Sequence, residues 1–139
     1  MTRPELTREG GDGAPATPRR IAQELRRLRP QGPSAFAILS FAADRYYQVA
    51  GGGGGMMLEK REGECHWRAH QDIPVVPFED GTELSFGGSR IPLLRDEWFT
   101  RAQVIELLTL VASGRPEPRW VRWRDVTEVL GRGKPATVR

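Results

Sequence analysis

The sequence is short of most of what marks an enzyme, a secreted domain or a membrane protein. It contains one cysteine, Cys65, and two histidines in 139 residues. A lone thiol cannot close an internal disulfide and cannot supply the ligands of a structural zinc. No run of about 18 apolar residues occurs, so no segment qualifies as a membrane-spanning helix. The chain opens Met1-Thr2-Arg3-Pro4-Glu5, where a secretion signal would carry an apolar block, and the expectation is a cytoplasmic protein. Lysine is scarce as well: nineteen of the 21 basic residues are arginine, leaving Lys60 and Lys134.

Catalytic patterns are equally thin. Five consecutive glycines, Gly51 to Gly55, lack the GK[ST] that makes a phosphate loop, and their flanks read as strands, so a flexible hairpin loop is expected. His66 and His70 fall on one face of a strand, about 13 Å apart at the usual rise, too far to share a metal. Cys65 points to the other face and is expected to be buried as a small apolar residue. No G-x-S-x-G elbow and no H-E-x-x-H occurs. The acidic pairs Glu79-Asp80 and Asp96-Glu97 sit in loop-like sequence, where neighbouring carboxylates usually face solvent. The expectation is a non-enzyme without cofactor or metal.

The formal charge of +3 is unevenly placed. Residues 18–29 hold five arginines against Glu24, a net +4; residues 1–17 are net −1 and the remainder is balanced. A nucleic-acid groove needs basic side chains spread over a face, so the bland reading is one solvated helix. A basic nucleic-acid-binding adaptor using helix 18–29 is the alternative function.

What is present reads as one α+β domain over residues 17–130, between a disordered N-terminal tail, 1–16, and a C-terminal tail, 131–139. The first stretch is polar and rich in Gly and Pro, without apolar periodicity. Thr17-Pro18 looks like a helix N-cap with proline at the first helical position, followed by Ile21, Leu25 and Leu28 at helical spacing. Strands are expected over 34–41, 45–50, 56–62, 64–71, 82–86, 91–94 and 120–124. Thr100-Arg101-Ala102-Gln103 carries a capping box ahead of a second helix that stops at Gly114 and Pro116. This order predicts an antiparallel meander of about six to seven strands with two helices on one face.

The remaining stock is aromatic and charged: Tyr46, Tyr47, Trp67, Trp98 and Trp120 beside Arg68 and the acidic pairs. Tyr, Trp and Arg are common anchors of protein interfaces. The stretch Leu84-Ser85-Phe86-Gly87-Gly88, a proline-bearing strand, the helix around Val104 to Val111, Ser113-Gly114-Arg115-Pro116 and Val121-Arg122-Trp123 follow in that order. Over roughly residues 34–126 this pattern resembles the immunity proteins of bacterial polymorphic toxin systems, in the family called deaminase-inhibitor-like. The resemblance implies a protein that binds a cognate toxin domain, such as a nucleic-acid-targeting deaminase or nuclease, and blocks its active site. It supplies no catalytic residues. Tyr46, Glu79, Asp80, Asp96 and Glu97 are the expected contact residues, with Trp67 and Trp98 as anchors.

Overall fold

The computed structural model describes residues 3–31, 33–86 and 88–128; the expected tail at 131–139 lies outside them. Seven strands form an antiparallel sheet in the order β2-β1-β3-β4-β5-β6-β9. They are β1 (Glu5–Arg8), β2 (Ala14–Pro15), β3 (Phe36–Ala42), β4 (Arg45–Gly52), β5 (Gly55–Glu62), β6 (Cys65–His70) and β9 (Arg122–Asp125). Between β6 and β9 the chain makes a separate hairpin of β7 (Thr82–Phe86) and β8 (Ser89–Leu93). Two helices, α1 (Pro18–Arg26) and α2 (Arg101–Ala112), complete an α+β fold.

Alternation along the strands divides the sheet into two faces. Leu6, Leu39, Val49, Met56, Leu58 and Ala69 point to one side and pack with Ile21, Leu25 and Leu28 of the first helical segment and Val104, Leu107 and Leu108 of α2. Ala50 and Met57, one residue out of step, point to the other side and pack with Leu84, Leu93, Val76 and Trp98. Both helices therefore cover one face, and the β7-β8 hairpin lies on the opposite face. The chain passes between layers at Trp98-Phe99, where Met56 and Phe99 exchange backbone hydrogen bonds of 2.8 and 2.9 Å. Phe99 joins the helix-side core and Trp98 the hairpin-side core.

Both helix starts follow their sequence signals. The Thr17 hydroxyl accepts from the Arg20 N–H, with Pro18 at the first helical position. Thr100 accepts from the Gln103 N–H while the Gln103 side chain returns to Thr100 N–H, a complete capping box.

The stretch expected to be a disordered tail is instead an edge of the sheet. Leu6 is fully buried and pairs with Leu39. Arg8 donates to Glu24 of α1 at 2.8 Å and to Ser34 at 2.6 Å, while the Arg20 guanidinium holds the backbone carbonyls of Leu6 and Asp12. Its polar composition signals disorder only when the partners that satisfy the polar groups are unknown. The expected strands 82–86 and 91–94 are present but pair only with each other, as the separate hairpin. The main sheet reaches seven strands because β1 and β2 join it.

The glycine run makes the expected hairpin, but most of it lies in the strands and not in the loop. β4 and β5 continue to the pair Gly52↔Gly55, leaving a turn of Gly53-Gly54. A Cβ at Gly51 would meet the Gly55 carbonyl oxygen at 2.5 Å, one at Gly52 would meet Pro30 Cδ at 2.7 Å, and one at Gly55 would meet Trp98 Cε3 at 2.7 Å. Glycine is required here by close approach of neighbouring layers.

Candidate functional site

The segment linking β6 to β7 forms a structured surface loop. Val76 is buried and Phe78 packs on Trp98 with ring centroids 4.6 Å apart. Val75 and Pro77, on either side of Val76, are exposed, so the loop alternates like a strand here, while Pro74 and Pro77 fix two of its φ angles. Its base is held by Gln71, whose N–H donates to the Asp96 carbonyl at 2.9 Å and whose side chain donates to the Trp98 carbonyl at 2.9 Å.

Among the described residues, the large apolar side chains left exposed are Ile73 at 79%, Val75 at 54% and Leu94 at 44%. Two belong to this loop. The third adjoins Arg95, which lines an open concavity of about 560 Å³ together with Val75, Phe78, Glu79 and Asp80. Ile73 lines a separate, smaller concavity with Arg119 and Trp120. Exposed apolar side chains on a proline-stiffened loop, next to a concavity with acids on its rim, can seat a protein side chain.

The seven residues expected at the contact surface are not brought together. Glu79 and Asp80 stand exposed on the rim, where Asp80 accepts from the Arg95 N–H at 2.7 Å. Glu97 and Trp98, expected as contact and anchor, are 3% and 4% exposed. Glu97 is drawn inward because its carboxylate accepts from the Leu94 N–H at 2.8 Å and from Arg124 at 2.6 Å; Trp98 fills the space above Gly55. Asp96 is partly buried and forms a pair with Arg124. Tyr46 lies on the hairpin side of the sheet, opposite Arg61. Trp67 shares the helix-side face with Lys60, and its indole nitrogen is buried without a hydrogen-bond partner.

Two polar networks stabilise the sheet around this surface. On the hairpin side, Arg68 donates to Glu59 at 2.8 Å and Arg124 bridges Asp96 and Glu97. The hydrogen bond with Asp96 comes first among the effects that raise the Arg124 pKa above its ordinary value. Arg124 thus fixes the 3₁₀ turn Arg95–Glu97, and with it Leu94, against β9.

On the helix side, Glu117 accepts from the Tyr47 hydroxyl at 2.7 Å, the Trp123 indole at 2.9 Å and Lys60 at 3.0 Å. The Lys60 ammonium also sits 4.2 Å from the Trp123 ring centroid. Burial pushes the Glu117 carboxyl up, but the three donors outweigh it and hold the group below the usual carboxylate range. Burial, then the hydrogen bond to Glu117, drives the Tyr47 phenol far above its ordinary value. With its carboxylate met by three donors, the cluster braces β4, β5 and β9 against the segment that carries Glu117.

Cys65 is exposed rather than buried, because it opens β6 directly after the exposed Gly63-Glu64 turn. His66 and His70 share the hairpin-side face with Arg68, as the strand period requires. His70 Nδ1 stands 3.7 Å from Asp96. No group of three or more His, Cys, Asp or Glu able to hold a metal occurs among the described residues.

Ile73, Val75 and Leu94 were not singled out by sequence reasoning. The available signal was Ile73-Pro74-Val75-Val76-Pro77, an apolar run whose prolines bar it from a ladder, so its side chains lack a sheet to cover them. No protein-family model, curated protein or solved structure matches the chain.

Proposed function

We propose that the protein is an immunity-type inhibitor that binds a cognate bacterial toxin domain and blocks its active site. The observation that carries the protein-binding part is the exposure of Ile73 and Val75 on one anchored, proline-stiffened segment, with exposed Leu94 next in sequence to Arg95 of the adjoining concavity. Such a loop loses little conformational entropy on binding, so a larger share of its contact energy becomes affinity. The toxin as partner rests on the resemblance to the deaminase-inhibitor-like immunity family.

The rim gives the partner a charge. Glu79 and Asp80 form no ion pair among the described residues, and Arg95 offsets only one of them. A basic surface, such as the groove of a nucleic-acid-targeting deaminase or nuclease, is complementary to that rim. The arginine-rich α1 lies on the opposite face of the sheet and does not oppose such docking.

Co-expression with the toxin domain encoded beside this gene tests the proposal. Growth rescue together with a complex that survives purification is expected. A toxic neighbour that kills at the same rate with and without this protein contradicts it.

A further inference from the structure

At the end of α1, two guanidiniums meet at one carbonyl, and the charge of a third, on Arg26, reaches them. Arg29 Nη1 donates to the carbonyls of Arg26 and Leu28, both at 3.0 Å, and Arg101 Nη2 reaches the same Leu28 carbonyl at 3.4 Å. Two cationic forks thus converge on one oxygen. Among the described residues no carboxylate pairs with Arg26, Arg29 or Arg101, and the nearby Glu24 is taken by Arg8 and Arg20.

The structural reading of such a cluster is that cations cap a helix C-terminus. It accounts for the backbone contacts but not for the charge. A helix end carries roughly half an elementary negative charge, against three full positive ones here. The excess is felt by Arg101, whose pKa is lowered by burial and then by the charges of Arg29 and Arg26. In addition, Arg101 Nε is buried without a hydrogen-bond partner.

Beside Arg101 the chain leaves room. A Cβ on Gly53 would stand 3.8 and 4.0 Å from the Arg101 terminal nitrogens, and nothing lies within 4 Å of one on Gly54. The two-residue turn therefore leaves open space beside the guanidinium.

We propose that Arg26, Arg29 and Arg101 form a binding site for a phosphate group, seated between the end of α1, the start of α2 and the Gly53-Gly54 turn. A phosphate offers several acceptor oxygens to planar guanidinium donors and removes the repulsion among them. The site does not depend on the toxin reading, and it requires Arg101, which lies outside the basic helix.

The test is the melting temperature of the full chain with inorganic phosphate or pyrophosphate, against sodium chloride of matched ionic strength. Near saturation the anion is expected to raise Tm by about 3 °C beyond the chloride control. Arg101→Gln and, separately, the exposed Arg26→Gln should each remove most of that gain. Gly53→Asp places a carboxylate beside Arg101; it should raise Tm without ligand and abolish the phosphate response. A shift no larger than that of chloride, or one that persists in Arg26→Gln and Arg101→Gln, overturns the proposal. A single-stranded oligonucleotide then separates the sources of the phosphate. Tighter binding than pyrophosphate, with a salt slope reduced by about one per arginine removed, assigns it to a nucleic-acid backbone; the reverse order assigns it to a small phosphorylated ligand.

Discussion

Glu117 joins Tyr47, Lys60 and Trp123 through one carboxylate, so its substitution tests whether that brace stabilises the fold. Glu117→Gln retains the shape but loses the charge that two of the donors and the Lys60 ammonium meet. It should cost about 2 kcal/mol in urea denaturation, the usual scale for hydrogen bonds to a charged group. The folded pKa lies below the ordinary value of 4.5, so the stabilisation is fully present above that value and is lost as pH falls through the folded pKa. Glu117→Gln should therefore flatten the loss of stability below about pH 4.5. Asp125, also held low by its Thr127 bonds, leaves a residual slope of the same sign. The glycines differ in the same residue-by-residue way. Gly51→Ala combines φ of +119° with a Cβ 2.5 Å from a carbonyl oxygen and should cost well over about 1 kcal/mol. Gly54→Ala meets open space and should leave Tm nearly unchanged.

At the scale of elements, the helices and most strands were legible because their signals are local. Thr17-Pro18 and Thr100 to Gln103 cap the helices they were expected to cap, and the strand period placed His66 and His70 on one face. What failed was set by distant partners. Nothing within residues 3–16 shows that Leu6 will meet Leu39 or that Arg8 will meet Glu24. In the same way, Asp96-Glu97 resembles a solvated loop pair until Arg124 arrives from a strand 27 residues onward. Leu6→Ala should lower stability by about 3 kcal/mol as a fully buried leucine truncation. A free tail would show no change, so denaturation of this single variant separates the two descriptions. Backbone amides of Leu6 and Arg8 should also exchange more slowly than those of an unstructured segment.

Across the whole molecule, the sheet segregates its tasks by face. One face carries the helices and the basic cluster; the other carries the hairpin and the loop with its exposed apolar side chains. This division was not legible in the sequence, because the aromatic residues that looked like anchors serve different layers: Trp98 fills the hairpin-side core and Trp67 sits on the helix side. The exposed apolar side chains are instead aliphatic and interrupted by prolines, a pattern that composition alone assigns to a plain loop. Charge reversal of Glu79 and Asp80 to lysine should slow association with a basic toxin domain and weaken its salt dependence, since rim charges act mainly on the encounter.

The most direct test is the affinity of the adjacent-gene toxin domain for wild-type protein and for an Ile73→Asp, Val75→Asp double variant, measured by titration calorimetry. Both side chains are exposed, so the fold should be kept and Tm should move little. The account predicts at least a tenfold loss of affinity, about 1.4 kcal/mol or more. Unchanged affinity with an intact fold would contradict the placement of the binding surface on this loop.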